Sequence, residues 1–232
     1  MNNPQLPLGL TLRESARFGS YFPGANREVV TGLQSVAEGG GEPFICIVAP
    51  AGLGKTHLLQ AACHRAAACQ RTASYLPMAG LAGLSPELFA GLERQDLVCI
   101  DDAQVLAGMG EWERGLFDLF NRVREGTGTL VVAGDSRPDR AGFSLPDLVS
   151  RLSWGVTYVL KPLPDDDVSR ALAYRAAARG LELPGETAAY LLKRIPRDLP
   201  SVFELLDRLD EASMIEQRRL TIPFVKSVLG LA

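Results

Sequence analysis

A short segment of the sequence has the residue types and spacing needed to bind phosphate. Residues 49–56 read Ala-Pro-Ala-Gly-Leu-Gly-Lys-Thr and match the pattern Gly-x-x-x-x-Gly-Lys-Ser/Thr except at its first position, which is Ala49. Such glycines let backbone N–H groups point at an anion, and the helix that follows presents the positive end of its dipole. Lys55 would balance phosphate charge, and the Thr56 hydroxyl would ligate Mg²⁺. We expect the nucleotide-binding residues to be Ala51, Gly52, Leu53, Gly54, Lys55, Thr56 and His57. The alternative is an ordinary glycine-containing turn with a solvated lysine.

Two adjacent carboxylates could complete a metal site. Asp101 and Asp102 follow the apolar run Leu97–Ile100 directly. A phosphate loop needs a carboxylate to hold its metal, so Asp101 would hold Mg²⁺ through water and Asp102 would orient a nucleophilic water. In isolation, paired acids after a strand are as often solvated turn residues or a helix cap.

The elements that must position these residues follow from the hydrophobic pattern. Five short apolar runs have the length and composition of buried strands: 44–48, 72–76, 97–100, 130–133 and 156–160. Helical patterns cover 26–37, 55–70 and 111–125, among these runs. Continuously apolar strands that alternate with helices are typical of a parallel sheet covered on both faces, which is an α/β fold.

The character of the sequence changes near Lys161. Beyond it, the strand-like runs give way to helical patterns over 166–179, 186–194, 201–218 and 222–229. The first 20 residues look irregular and are expected to form a flexible tail. We therefore predict a tail over 1–20, an α/β core over 21–161 and a small helical lid over 162–232.

Composition and charge exclude several other kinds of protein. The 232 residues include 24 Lys and Arg against 27 Asp and Glu, a net charge of −3, which argues against gripping bare DNA by overall basicity. The two histidines and four cysteines include no Cys-x-x-Cys pair, which argues against a zinc site and a disulfide framework. The apolar runs are too short to span a bilayer. We expect a cytoplasmic protein with reduced cysteines and no membrane partner.

The ordered motifs together resemble those of AAA+ ATPases, in the replication-initiator branch that contains DnaA. The matching segments are 52–58 (GLGKTHL), 100–104 (IDDAQ), 113–121, 134–138 (GDSRP) and 150–155 (SRLSWG). The resemblance spans nearly the whole chain and implies a P-loop core with a five-stranded parallel sheet plus an all-helical lid. Initiators continue into a basic DNA-binding domain, whereas this sequence ends at Ala232. The expected match is therefore the short DnaA homologues that inactivate the initiator.

The resemblance assigns roles to further residues. Asp135 corresponds to the sensor 1 residue, and Arg151 to an arginine finger that enters a neighbouring subunit's nucleotide site. Phe22 and Pro23 lie in the segment that contacts adenine, although packing of the aromatic residues explains that stretch equally well. Pro200 occupies the position of the sensor 2 arginine, for which Arg197 is the nearest substitute. We therefore expect ATP or ADP with Mg²⁺ to bind, and the chain's own hydrolysis to be weak.

The N-terminal sequence resembles peptides that dock on the DNA polymerase sliding clamp. Gln5, Leu6, Leu8 and Leu10 fit the pattern Gln-Leu-x-Leu-x-Leu, in which leucines fill an apolar cleft. The resemblance then implies a nucleotide-bound regulator, with ADP resident, that contacts DNA only through the clamp and stimulates ATP hydrolysis by DnaA. A self-sufficient DnaA-like ATPase, such as a helicase loader or an initiator paralogue, is the alternative. A homodimer is left open.

Overall fold

The computed structural model describes residues 12–194, 199–216 and 219–230. In chain order the elements are α1 (Arg27–Ala37), β1 (Phe44–Val48), α2 (Lys55–Ala68), β2 (Ala73–Pro77), α3 (Met78–Leu81), β3 (Leu97–Asp101), α4 (Gly110–Glu125), β4 (Thr129–Gly134), α5 (Pro146–Leu152), β5 (Val156–Val159), α6 (Asp165–Ala177), α7 (Gly185–Leu192), α8 (Leu199–Glu216) and α9 (Ile222–Leu229). The predicted strands and long helices are found within two residues of their expected positions. The short helices α3 and α5 were not predicted.

The five strands form one parallel sheet in the order β2-β3-β4-β1-β5. All residues of β1, β3 and β4 are buried, which explains why these strands read as unbroken apolar runs. Alternate strand residues face opposite layers: Ile45 and Ile47 pack against α1 and α2, whereas Phe44 packs against α4 and α5. The predicted α/β fold with a five-stranded parallel sheet is therefore confirmed.

The C-terminal helices have a hydrophobic core of their own. Its buried members come from α6, α7, α8 and α9 and from the approach to α9, and include Leu172, Leu191, Leu206, Leu209, Leu220 and Phe224. The Thr221 hydroxyl caps the start of α9 by accepting a hydrogen bond from the Phe224 N–H at 3.4 Å. The helices after the sheet thus form a separately packed bundle, in agreement with the expected lid. No helix in the described ranges is long and apolar enough to cross a bilayer.

Residues 12–20 lie against the core, unlike the flexible tail that the sequence suggested for residues 1–20. Ala16 is 2% exposed, and Leu12 packs against the α1–α2 side of the sheet. The Arg13 N–H donates to Gln60 Oε1 of α2 at 3.0 Å. This stretch is therefore fixed to the helix that follows the phosphate loop.

Candidate functional site

The residues predicted to bind the nucleotide and its metal lie together at one edge of the sheet, where the strands end. The phosphate loop follows β1, Asp101 ends β3, and Asp135 follows β4. In the sheet β1 and β3 are both neighbours of β4, with Val48 paired to Gly134. Ligands of open α/β sheets bind at this carboxyl end of the strands, so the topology itself brings the loop and the acids together.

The phosphate loop turns on its two glycines. Gly52 and Gly54 have φ values of +85° and +91°, in the left-handed region that side chains rarely adopt. A Cβ at Gly54 would lie 2.8 Å from Cε2 of Tyr21, so the site also needs glycine for space. Ala49, which replaces the first glycine of the pattern, is not in that region; it is buried, and its N–H bonds to the Gly134 carbonyl at 3.1 Å. The replacement therefore introduces no backbone strain.

Lys55 brings a buried positive charge to the loop. The residue is 7% exposed, and its Nζ donates to the carbonyls of Ala49 at 2.6 Å and Pro50 at 3.2 Å. Within the part of the chain that the structure describes, no carboxylate pairs with this ammonium group. A cation held by neutral carbonyls retains its net charge, which suits it to balance a phosphate.

Thr56 and Asp101 are in direct contact. The Thr56 hydroxyl donates to Asp101 Oδ2 at 2.6 Å, and the Tyr75 hydroxyl of β2 donates to the same oxygen at 2.9 Å. Burial raises the pKa of Asp101, against the opposing effect of these two hydrogen bonds. A hydroxyl and a carboxylate oxygen are the hard ligands that Mg²⁺ prefers, so the donor set fits this ion. Tyr75 was not identified from the sequence, because nothing in a strand residue reveals which acid it reaches.

Asp102 has an uncommon backbone conformation. Its φ and ψ are 53° and 42°, in the left-handed region, and it directly precedes the 3-10 helix Ala103–Leu106. The Gln104 side chain donates to Asp102 Oδ1 at 3.3 Å, and its own buried Oε1 has no partner in the described structure. Backbone strain of this kind is concentrated at functional sites.

These residues surround a cavity of about 560 Å³, a volume in the range of ligand pockets. Its wall contains the predicted Phe22, Ala51, Gly52, Leu53, Gly54, Lys55, Thr56, His57, Asp102 and Asp135. Pro23, predicted with Phe22 to contact adenine, directly precedes the 3-10 helix Gly24–Asn26 and is not part of the wall. Asp101 lies behind Thr56 and is 1% exposed.

Several other wall residues were not anticipated. They come from the N-terminal stretch, from the segment before α1, from α2, from the end of the core and from the lid, and include Arg13, Ser20, Tyr21, Asn26, Gln60, Lys161 and Arg175. Asn26 holds the segment that follows β5 at the end of the core: its side chain donates to the Lys161 carbonyl at 2.9 Å and accepts from the Lys161 N–H at 2.7 Å. Arg175 brings a lid cation to the cavity. Neither Asn26 nor Arg175 belongs to a local sequence motif, so their positions at the cavity are found only from the folded structure.

His57 joins the phosphate loop to the N-terminal stretch. Its Nε2 lies 2.9 Å from the Arg17 carbonyl and 3.5 Å from the Ser20 hydroxyl, and its ring lies 5.7 Å from that of Tyr21. Burial lowers the pKa of His57 to about 4, with a smaller opposing effect of the Arg17 carbonyl. The imidazole is therefore neutral at physiological pH and donates to Arg17.

Arg151 lies apart from the cavity. It occupies the last turn of α5, is partly exposed and is not part of the cavity wall. Within residues 12–194, 199–216 and 219–230, its guanidinium makes no hydrogen bond or ion pair. Trp154, three residues later, is 57% exposed. Arg151 is therefore partly accessible to solvent and contributes nothing to the wall of the chain's own cavity.

Five of the remaining predicted residues fall outside what the structure describes. Gln5, Leu6, Leu8 and Leu10 precede the first described residue, and Arg197 lies in the gap between α7 and α8. Pro200 is the second residue of α8, the kind of position where proline is tolerated. No group of three or more His, Cys, Asp or Glu that could hold a metal occurs among the residues with assigned structure.

Two family models match separate parts of the chain. Residues 87–159 match the bacterial DnaA ATPase domain, and residues 165–229 match the lid domain of Hda. The first match contains Asp101, Asp102, Asp135 and Arg151, and the second contains α6 through α9. The chain is a DnaA-like AAA+ protein with an Hda-type lid domain. This confirms the expected match to short DnaA homologues and the AAA+ assignment of the core.

Solved structures of other proteins share the fold of this chain. Domain III of the replication initiation protein DnaA from Thermotoga maritima is 20% identical with a TM-score of 0.75, over 95% of this chain and 98% of that one. AMPPCP-bound DnaA from Aquifex aeolicus is 24% identical with a TM-score of 0.70, over 88% and 68%. The RuvB Holliday junction branch migration motor from Thermotoga maritima is 16% identical with a TM-score of 0.62, over 88% and 67%.

Proposed function

We propose that this protein is a nucleotide-bound regulator that docks on the DNA-loaded sliding clamp and stimulates ATP hydrolysis by DnaA. This activity would prevent re-initiation of chromosomal replication. The observation that carries the proposal is the position of Arg151, which lies outside the chain's own cavity and has no partner among the described residues. Its guanidinium is therefore available to a second protein.

The proposed resident cofactor is ADP or ATP with Mg²⁺. The bound nucleotide would supply phosphate oxygens as further ligands for the metal. Lys55 would balance phosphate charge, while Thr56 and Asp101, already 2.6 Å apart, would hold the metal, Asp101 through water. The glycine turn, the cavity volume and the hard oxygen donors all fit this ligand. The AMPPCP-bound state of the Aquifex aeolicus DnaA structure supports an adenine nucleotide in this fold.

Arg151 would act in the nucleotide site of DnaA. A guanidinium that enters a partner's site stabilises the negative charge that builds up on the transferring phosphoryl group, an effect worth roughly 10³–10⁵ in rate. The chain needs no titrating group for this role, because arginine stays charged at all physiological pH values. Asp102 and Asp135 would face the chain's own nucleotide.

The clamp would bring the regulator to DNA. A net charge of −3 is poor for direct binding to phosphates, whereas a clamp-bound protein shares the local concentration of the duplex that the clamp encircles. Gln5, Leu6, Leu8 and Leu10 would form that contact. DNA is then an indirect partner, and DnaA is the direct one.

A self-sufficient ATPase is the second candidate, and one observation favours it. Lys55, Thr56, Asp102 and Asp135 all line the chain's own cavity, and Asp101 contacts Thr56 directly, which supports a phosphate, metal and water-positioning set of its own. Such an enzyme would hydrolyse ATP by itself at rates comparable to DnaA. It would also be indifferent to loss of residues 1–10.

The test is a reconstituted hydrolysis assay. ATP-loaded DnaA is incubated with clamp-loaded DNA, with and without the full-length protein, and conversion of DnaA-bound ATP to ADP is followed. Our proposal requires faster conversion only when the protein and the loaded clamp are both present. Unchanged conversion, or equal ATP turnover by the protein without DnaA, would contradict it.

A further inference from the structure

A buried carboxylate outside the nucleotide site makes an unusually complete set of hydrogen bonds. Glu113 of α4 is 1% exposed. Its Oε1 accepts from the Gly108 N–H at 2.7 Å and from the Ser144 N–H and hydroxyl at 3.0 and 3.1 Å. Its Oε2 accepts from the N–H groups of Ser144 at 2.9 Å and Leu145 at 2.7 Å. Both oxygens are thus occupied by donors from two different loops.

These donors stabilise the ionised form of the side chain. Burial acts to raise the pKa of Glu113, but hydrogen bonds from Ser144, Gly108 and Leu145 outweigh it, so the pKa lies below its ordinary value. Hydrogen bonds to a charged acceptor are stronger than neutral ones. At neutral pH the loops are therefore bound by a carboxylate, and an amide in its place would set an NH₂ group against N–H donors.

The first loop held by Glu113 begins the helix that carries Arg151. Ser144 and Leu145 directly precede α5, which spans only Pro146–Leu152. A helix of two turns is not stable by itself in water, so its position depends on its packing and on how its start is fixed. Leu148 and Leu152 supply the packing by burial against α4 and the sheet. Glu113 fixes the start.

The second loop held by Glu113 comes from the metal-binding edge of the sheet. Gly108 lies between the 3-10 helix Ala103–Leu106 and α4, six residues beyond Asp102. The same carboxylate therefore connects the segment that leaves Asp101 and Asp102 to the segment that enters α5. Glu113 therefore joins the edge of the sheet that carries the chain's own nucleotide site to α5, the helix that carries Arg151.

We propose that Glu113 is a positioning residue for Arg151: its carboxylate fixes the start of α5 and ties it to the loop that follows Asp102. The proposal rests on the proposed function, in which Arg151 acts on DnaA. Loss of these hydrogen bonds would allow α5 to shift, while the phosphate loop, to which Glu113 makes no hydrogen bond, would stay in place. A displacement of about 1 Å in such a group can cost roughly 10²-fold in rate.

The first test measures whether Glu113 holds the start of α5 in place, and it does not require DnaA. Amide hydrogen exchange is compared between the full-length protein and Glu113→Gln, with Glu111→Gln as the control, because Glu111 is exposed and lies in the same first turn of α4. We expect faster exchange across 144–152 in Glu113→Gln alone, with exchange in α2 unchanged. Unchanged exchange across 144–152 would overturn the positioning role.

The second test separates positioning from general stability. In the DnaA hydrolysis assay, Glu113→Gln should lower the maximal stimulation by about 10- to 100-fold, at unchanged nucleotide affinity and clamp retention.

If the Glu113→Gln variant does not fold, Ser144→Ala serves in its place, because it removes one hydrogen bond of the same set. This variant should accelerate hydrogen exchange in α5 while nucleotide affinity is retained; no acceleration would overturn the proposal. Full stimulation by a folded Glu113→Gln would do the same. Failure of the wild-type protein to stimulate DnaA would instead refute the proposed function. The exchange result would still decide whether Glu113 positions α5.

Discussion

The Thr56 hydroxyl donates a 2.6 Å hydrogen bond to the Asp101 carboxylate, joining the first turn of α2 to the last residue of β3. The two residues are 45 positions apart in the sequence and come from separate motifs. Their contact places side by side the two oxygen groups that we propose as metal ligands. Tyr75 holds the same carboxylate oxygen from β2 and so fixes its orientation.

Replacement of Lys55 by alanine should abolish most nucleotide binding. The substitution removes the buried ammonium of the phosphate loop, so the gain in melting temperature that nucleotide gives the wild type should disappear. The melting temperature rises because the ligand binds the native state only, which increases the free energy of unfolding by about 2.7 kcal/mol at a ligand concentration of 100 times the Kd. Lys193→Ala, which removes an exposed lysine outside the cavity, should keep the full gain. A nucleotide-dependent gain in Lys55→Ala equal to the wild type's would refute the assigned role.

Arg175 should contribute to nucleotide affinity from the lid. It lines the cavity from α6, and the resemblance to AAA+ proteins leads us to expect proline, Pro200, at the position of the usual lid arginine. Because hydrogen bonds to charged groups are worth about 1.5–3 kcal/mol, we expect Arg175→Ala to weaken binding by about 10- to 100-fold in calorimetric titration. Arg208→Ala, at an exposed position of α8, provides the control for loss of lid charge. Equal affinities of these two variants would show that Arg175 does not face the ligand.

The sheet and its long helices could be predicted because their signals are local. Unbroken apolar runs such as Phe44–Val48 identify buried strands, and the stripe on Arg27–Ala37 identifies a helix packed on one side. The helix α5 could not be predicted in the same way. Its seven residues are too few to form a stable helix alone, and the Glu113 hydrogen bonds that fix its start come from 31 and 32 residues earlier in the chain.

The candidate site likewise contains some residues that local sequence signals reveal and others that only tertiary packing brings in. The phosphate loop and Asp101–Asp102 are short contiguous motifs whose residue types and order indicate phosphate and metal binding. They could therefore be proposed from the sequence alone. Tyr75, Asn26 and Arg175 reach the site only through tertiary packing and follow no motif. The expected flexible tail illustrates the same difference: residues 12–20 are polar and irregular in sequence, yet the fold gives them bonding partners on α2.

The stability of the protein should fall in mild acid because of His57. Its pKa is lowered to about 4 in the folded protein, against about 6.5 when unfolded. Between these pH values the unfolded chain binds a proton that the folded one does not, so the free energy of unfolding decreases with falling pH by up to about 1.4 kcal/mol per unit. His57→Gln keeps an N–H donor for the Arg17 carbonyl but does not titrate.

Urea unfolding at pH 7.5 and pH 5 measures this effect. We expect His57→Gln to lose less stability than the wild type on acidification, since the contributions of all other groups cancel in the comparison. His64→Gln, which removes the other imidazole held against the N-terminal stretch, controls at pH 7.5 for the loss of such a contact. Identical acid-induced losses in wild type and His57→Gln would contradict the assignment.

Clamp retention should depend on the first residues of the chain. The double substitution Gln5→Ala and Leu6→Ala removes the amide and the first apolar anchor of the proposed docking peptide. Binding to immobilised clamp should be lost while nucleotide content stays constant, because these residues precede the stretch that lines the cavity. Asn2→Ala with Asn3→Ala, in the same N-terminal segment, should bind normally. Full clamp retention by the Gln5 and Leu6 variant would remove the adaptor role.

The most direct measurement is the stimulation of DnaA by Arg151→Ala. The assay contains ATP-loaded DnaA, clamp-loaded DNA and the variant, with Arg114→Ala as the control because Arg114 is an exposed arginine of α4. We expect Arg151→Ala to bind nucleotide and clamp as the wild type does and to lose stimulation by roughly 10³-fold or more, while Arg114→Ala stimulates fully. Normal stimulation by Arg151→Ala would contradict the account.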